Sequence, residues 1–422
     1  MDQQIYRQIL CILEEELLPA MGCTEPIAIA YAAALARKLL GREPEQLLAE
    51  VSGNILKNVK SVVVPHTGGL RGIQAAALAG ALIGDADAEL EVLSRVTEEQ
   101  ITSLQEARGR IGVEVRFADT PHIFDIMITA RAGEDSAFVR LAGHHTNVVC
   151  LRRNGETLLE KELCPQQEDR SGHDILTVER IVEFAECVSL PDVEPLLRRQ
   201  IAYNMDIARE GLRRPYGANI GKTLLSSRPD DLTVKMRAWA AAASDARMSG
   251  CELPVVINSG SGNQGITASV PVIVYARETG KSDEELLRAL CVSNLITIHL
   301  KTGIGRLSAY CGAVSAGCGA GAGVAWLQGG RFREIAHTVV NAVAVTSGIV
   351  CDGAKASCAA KIAAAVDAGM LGLQMFRSGN QFYGGDGIVK KGVENTIANV
   401  GKLARNGMRE TDKEIIRLML ES

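Results

Sequence analysis

The chain has 422 residues and a net charge of −5; 47% of it is hydrophobic but only 4% aromatic. That length favours two domains over a single compact core. The mild acidity leaves no electrostatic footprint for nucleic acid or an anionic membrane, and no run of like charge is long enough to form a tail.

The apolar content is carried by Ala, Val, Leu and Ile beside 42 Gly. Such a composition suits helices whose backbones approach closely, and small-residue faces often bury against a second copy, so a homo-oligomer is compatible with it. The first helix is expected over 3–18, where Ile5, Ile9, Leu10, Ile12, Leu13 and Leu17 form a stripe that ends near Pro19. The N-terminus carries Asp2, Glu14, Glu15 and Glu16. It lacks the basic start, short apolar core and cleavage site of a secretion signal. Met21-Gly22-Cys23-Thr24-Glu25-Pro26 reads as a turn, with Thr24 an N-cap and Pro26 in the first turn of a helix ending at Gly41. Val51 to Gly69 is punctuated by Gly and Asn, and an Ala-rich helix follows over 71–83.

The pattern changes at residue 86. From there to 160, two-residue alternation with β-branched residues predicts strands in AELEVLSRV, VEVRFAD, IFDIMITAR, AFVRLAG and TNVVCLRR, and Asn154-Gly155 signals a hairpin. Residues 161–176 are polar and read as a surface connection. Helical spacing resumes at 177 and runs to the C-terminus, broken by a Gly/Ser/Asn loop at 258–265 and by turns at 302–305, 348–353 and 384–387. The uncharged stretch from Leu307 to Gly330 is long enough to span a membrane, but it is mostly Gly, Ala, Ser and Cys. It is expected to be a buried helix or helix pair. The fold class is therefore mainly α with an α+β portion. The expected organisation is an N-terminal helical part of the catalytic body (1–85), an α+β segment (86–176) and a helical domain (177–422).

Eleven cysteines in a chain with no secretion signal place it in the cytoplasm, where thiols stay reduced. They then serve metal binding, catalysis or simple packing. Cys311 and Cys318 have the spacing C-x6-C, repeated by Cys351 and Cys358. Zinc ribbons use C-x2-C, so a structural zinc site is disfavoured, and a soft thiolate group suggests iron–sulfur. Residues seven apart on one helix are about 10.5 Å apart along its axis, so a member of each liganding pair should sit on a turn. Cys351-Asp352-Gly353 meets that need, with Asp352 expected to cap a helix starting at Ala354; Cys311-Gly312 follows the same logic. Cys318, inside an Ala/Gly helix, fits a packing residue better. Spacing alone leaves the alternative that Cys311, Cys351 and Cys358 are also packing residues.

Cys23 sits at an expected helix N-terminus, which stabilises a thiolate; Glu25 opposes this. It reads as a base or nucleophile, a metal ligand, or a half-buried turn cysteine. The loop Asn258-Ser259-Gly260-Ser261-Gly262-Asn263-Gln264-Gly265 offers backbone N–H groups and amides for a carboxylate, or is a plain turn. His66, in Val64-Pro65-His66-Thr67-Gly68-Gly69, either binds substrate or satisfies a turn. His299 and Lys301 precede a Gly turn near Cys311, and His144-His145 are expected at the surface. No Ser-His-Asp order or H-E-x-x-H occurs, and nothing singles out a Schiff-base lysine for pyridoxal phosphate.

Together, Gly22-Cys23-Thr24-Glu25-Pro26, Ser52-Gly53-Asn54-Ile55-Leu56-Lys57-Asn58, the 258–265 loop, Tyr310-Cys311-Gly312 and Cys351-Asp352-Gly353-Ala354-Lys355 ending at Cys358 resemble the L-cysteine desulfidase family, related to the α-domain of iron–sulfur L-serine dehydratases. The resemblance covers most of the chain. It implies a [4Fe–4S] cluster on Cys311, Cys351 and Cys358, a catalytic thiolate at Cys23, and conversion of L-cysteine to sulfide, ammonia and pyruvate without pyridoxal phosphate. The dehydratases show a wider cysteine spacing than the C-x6-C here, a departure that bears most on Cys358. A pattern with Cys23 as a ligand also stays open. Thr24, Glu25, Asn54, Lys57 and Asn263 are the expected substrate-binding residues. L-Serine is the alternative substrate on the same site, and a non-enzymatic iron–sulfur redox sensor is the alternative of another class.

Overall fold

The computed structural model describes residues 1–22, 24–162, 172–305 and 308–421. Helix α1 (Gln3–Glu16) starts where the Asp2 carboxylate accepts from the N–H groups of Gln4 and Ile5, and it buries Ile9, Ile12 and Leu13. Strand β1 (Pro19–Met21) follows, then α2 (Thr24–Leu40). Helix α2 begins at Thr24 itself, so Thr24 is not its cap; its hydroxyl donates to Glu25 Oε2 at 3.3 Å. Next come β2 (Gln46–Val51), α3 (Gly53–Val59), α4 (Gly72–Ile83), α5 (Glu98–Ala107) and strands β3 (Gly112–Phe117), β4 (Asp125–Ala132), β5 (Asp135–Ala142), β6 (Val148–Arg153) and β7 (Glu156–Glu160).

The strands form one mixed sheet in the order β3-β2-β4-β5-β6-β7, with β2 and β3 parallel and the other pairs antiparallel. The β6–β7 hairpin turns on Asn154 (φ 50°) and Gly155 (φ 84°), the left-handed pair that Asn-Gly predicts. Two expectations fail here. AELEVLSRV is not a strand: residues Ala86–Glu91 form a 3-10 turn held by the Asp85 carboxylate, which accepts from Asp87 N–H. Conversely, Gln46–Val51 is a strand between β3 and β4, burying Leu47, Ala49 and Val51. Leu48 on the opposite face blurred its alternation. Residues 163–171 of the expected connection lie outside the described residues.

The rest is helical: α6 (Val178–Cys187), α7 (Leu190–Arg213), α8 (Ile220–Ser227), α9 (Leu232–Met248), a short strand β8 (Pro254–Val256), α10 (Gly262–Glu278), α11 (Asp283–Ile304), α12 (Gly312–Leu327), α13 (Phe332–Thr346), α14 (Cys358–Arg377), α15 (Val393–Lys402) and α16 (Arg409–Glu421). Helix α12 lies at the centre, buried from Ala313 to Leu327 and packed by α10, α11, α13 and α14. A Cβ on Gly317 would stand 2.3 Å from the Ala365 carbonyl oxygen, so α12 and α14 touch backbone to backbone. The uncharged stretch is thus a buried helix. Helix α14 is long and apolar enough to cross a membrane by length and composition, but it packs among α9, α12 and α13.

Two hydrophobic cores result. One joins α2 and α4 to the sheet over residues 27–141; the other joins α1 to the helices from 176 to 404. The change of pattern at residue 86 therefore falls inside a core. Residues 24–83 share theirs with the sheet, and α1 belongs with the helical body, tied to it through the antiparallel pairing of β1 with β8.

One buried group makes stability depend on pH. Asp245 on α9 is 2% exposed. It accepts from Gly221 N–H at 3.0 Å, and its Oδ1 has no partner. Burial pushes its carboxyl up to about 6. A raised carboxyl pKa favours the folded state while it is protonated, and that contribution is lost as pH rises from the unfolded value through about 6. Asp245→Asn should therefore raise stability by about 3 kcal/mol at pH 8 and change little at pH 4. Thermal denaturation of both proteins at the two pH values checks this; an equal shift at both would sink it.

Candidate active site

Backbone pairing draws Cys311 to the distant segment that carries Cys351 and Cys358. An antiparallel bridge joins Tyr310 to Val350. Cys311 N–H donates to the Ile349 carbonyl at 3.1 Å, and Cys351 N–H to the Ala309 carbonyl at 2.6 Å. Cys311 is the residue before α12, and Cys358 opens α14. The Cys358 sulfur accepts from Lys355 N–H at 3.5 Å and its thiol reaches the Gly353 carbonyl at 3.5 Å. Two helix N-termini therefore face the group, a placement that favours negative charge. Asp352 does not cap a helix at Ala354, because α14 starts four residues later; Asp352 pairs with Lys361 instead.

Burial pushes the Cys311 thiol up to about 12, with Cys351 and Cys358 close enough to add to the rise. Burial likewise raises Cys358, again with Cys351 nearby. Cys311 and Cys358, which resist ionisation without a counter-charge, stand with Cys351 as three soft donors that fit an iron–sulfur cluster, whose iron supplies that charge. Among the described residues, no three His, Cys, Asp or Glu side chains stand close enough to chelate a lone ion. A cluster several ångströms across takes thiols set further apart. Cys318 is 1% exposed inside α12, as expected of a packing residue.

The cysteine loop is anchored on the other core. Gly353 has φ +94°, and a Cβ there would lie 2.0 Å from the Lys57 carbonyl oxygen. Lys355 Nζ donates to the same oxygen at 3.2 Å, and burial holds this lysine below its usual range. The C-terminal end of α3, at Lys57 and Asn58, is thus packed against the cysteine loop. Asn54 presents a buried Oδ1 with no partner among the described residues. Asn58 Nδ2 donates to Glu25 Oε1 at 3.1 Å. Lys57, expected to grip substrate, is 1% exposed and pairs with Asp412 of α16 at 2.5 Å, so the structure gives its ammonium a protein partner.

The 258–265 loop closes the other side. Asn258 is fully buried and donates to Asn294 Oδ1 at 3.0 Å. Gln264 lies over Gly312, where a Cβ would stand 2.5 Å from its Cδ, and its Oε1 is buried without a partner. Asn263 Oδ1 accepts from Arg247 at 3.4 Å, and the same guanidinium donates to the Gly22 carbonyl at 2.9 Å. Arg247 therefore ties this loop to the turn that leads into Cys23. Cys23 itself lies outside the described residues; its neighbours Gly22, Thr24 and Glu25 are held as above. Arg247 escaped sequence reasoning because nothing marks it on α9. Gln264 lay within the quoted loop, but only the fold shows that it reaches Gly312.

His66 lies beside the Gly22 turn, and the other histidines singled out in the sequence are accounted for elsewhere. His66 (φ 55°) stands 3.3 Å from Glu252. His299 bonds Glu394 at 2.7 Å, joining α11 to α15. Burial works to raise the Glu394 carboxyl, but its bond to His299 holds it below the ordinary value. Lys301 is 5% exposed, His144 is exposed, and His145 meets the Phe124 ring edge-on at 4.8 Å.

Residues 87–417 match the family described as serine dehydratase alpha chain. The chain belongs to that family. It is also 56% identical over 416 residues to a UPF0597 protein of Desulfitobacterium hafniense, covering 98% of this chain and 97% of the relative. A UPF0597 protein of Lachnoclostridium phytofermentans is 49% identical, covering 99% and 100%, and one of Treponema denticola 47%, covering 100% and 99%. The serine dehydratase alpha chain match runs from the sheet through the cysteine loop into α16, so it spans both cores and the seam between them.

Proposed function

We propose that this protein is a cytoplasmic iron–sulfur amino-acid lyase that converts L-cysteine to sulfide, ammonia and pyruvate by α,β-elimination, without pyridoxal phosphate. The observation that carries the reading is the gathering of Cys311, Cys351 and Cys358 at two helix N-termini, with Gln264 lying over Gly312 next to Cys311. All the described cysteines are free thiols, which suits a reducing compartment. Membership of the serine dehydratase alpha chain family supports a lyase. It also supports the second reading, L-serine as substrate.

Cys311, Cys351 and Cys358 would hold the cluster, which when bound supplies a Lewis acid to assist the departing β-substituent. The Cys23 thiolate takes the weakly acidic α-proton. Asn54 Oδ1 accepts from the substrate ammonium, and the amides of the 258–265 loop, Asn263 among them, face its carboxylate. Thr24 and Glu25 set the turn beside the base. Loss of sulfide, or of hydroxide from serine, leaves aminoacrylate, which tautomerises and hydrolyses to pyruvate and ammonia.

Cys23→Ala tests the assignment. Anaerobically purified variant should keep its iron content and visible spectrum while turnover drops by roughly a hundredfold or more. Loss of the spectrum as well would make Cys23 a ligand and overturn its role as base. Comparing sulfide release from cysteine with pyruvate release from both amino acids decides the substrate.

A further inference from the structure

An open cavity of about 460 Å³ lies against the cysteine loop, its wall formed by Ala354, Lys355 and Ala356 together with Ser61, Arg71, Tyr216 and Ser249 among others. Its charged lining residues are Arg71 and Lys355, and no carboxylate lines it among the described residues. Arg71, the residue before α4, caps nothing with its side chain, and among the described residues its guanidinium has no ion pair or hydrogen bond. The nearest acid on the loop, Asp352, is already paired with Lys361. The cavity is therefore a concave, positively lined space whose two cations come from opposite cores, Arg71 from the sheet unit and Lys355 from the helical body. A concave wall of one sign concentrates ligands of the other, and a free guanidinium offers a planar fork matched to a carboxylate.

We propose that this cavity binds the carboxylate of a small amino or 2-oxo acid, with Arg71 and Lys355 as its anchors, so that substrate arrives and product leaves along the outer wall of the cysteine loop. The assignment of the carboxylate to substrate and product rests on the lyase reading; the anion site itself does not. Lys355 N–H touches the Cys358 sulfur, so a ligand held by the Lys355 ammonium lies within one side-chain length of the thiols. The volume exceeds that of a small amino acid several-fold, leaving room for water around a bound one.

Calorimetric titration of the full-length, anaerobically purified protein with pyruvate is the test, because pyruvate carries the carboxylate but no leaving group. Saturable binding is expected, weakened roughly tenfold or more by Arg71→Gln and by Lys355→Met, and unchanged by Arg110→Gln, a surface substitution in the sheet unit. In turnover assays Arg71→Gln should raise the KM for cysteine, with most of the loss in kcat/KM falling on KM. Lys355→Met can disturb the loop, whereas Arg71 is exposed and its variant keeps the test clean. No pyruvate binding by the wild-type protein, or equal binding by Arg71→Gln, overturns the proposal. Binding that depends on Arg71 without turnover of cysteine or serine keeps the cavity and removes the lyase reading. Turnover with an unchanged KM in Arg71→Gln does the reverse.

Discussion

Cys351→Ser is expected to empty the protein of iron while leaving it folded. The residue is held by its backbone, through the bond from its N–H to the Ala309 carbonyl at 2.6 Å, so the short bridge that aligns 310 with 350 does not need the thiol. Serine keeps the size but offers a hydroxyl, a hard group that does not ionise near neutral pH and is a poor partner for a cluster. Iron in anaerobically reconstituted protein should fall from about four atoms per chain to below about one, with loss of the broad thiolate absorption. Elimination activity should fall to background. Cys318→Ala is the contrast: buried inside α12, it should cost about 1 kcal/mol of stability and keep its iron. Iron retained by Cys351→Ser, or lost equally from Cys318→Ala, would refute the ligand assignment.

Gly353→Ala is expected to be strongly damaging for the addition of a single methyl group. The backbone there has φ +94°, and the added carbon would lie 2.0 Å from the Lys57 carbonyl oxygen and 2.7 Å from its carbon. Strain at positive φ and overpacking against α3 together should cost about 3 kcal/mol. The loop has to back away from α3, which releases the Lys355 bond to Lys57 and moves Cys351 and Cys358 relative to Cys311. Thermal stability and iron incorporation should therefore fall together. Gly379→Ala separates the two causes: its φ is +79° but nothing lies within 4 Å of the added carbon, so it should cost about 1 kcal/mol and leave iron binding intact. Equal losses of melting temperature in the two variants would show that the contact with α3 does not matter.

Much of the fold was legible because its signals are local. The stripe of α1, the hairpin at Asn154-Gly155 and the Ala/Gly helix α12 each follow from periodicity or turn chemistry within a few residues. The failures are equally physical. Residues 86–96 alternate like a strand, yet the Asp85 carboxylate gives the backbone a local partner and draws it into a turn. Gln46–Val51 became a central strand because β3 and β4 needed a partner between them, a demand made 60 residues away or more. At the candidate site, motif spacing named Cys311, Cys351 and Cys358, and backbone pairing does bring their segments together. Lys57, expected to bind substrate as part of the 52–58 segment, gave no sign in the sequence that Asp412, 355 residues later, takes its ammonium.

By itself, the sequence determined the secondary structure of most segments, the small-residue character of the helical core and which cysteines are worth attention. These depend on neighbours three or four residues away, or on composition. Only the tertiary structure decided that α3 braces the cysteine loop, that Arg247 reaches Gly22 across 225 residues while also holding Asn263, and that Arg71 and Lys355 share one cavity. Each of these pairings is a contact through space between segments far apart in the chain. No periodicity along the chain records such a contact, because its energy exists only once the distant segments have folded and met.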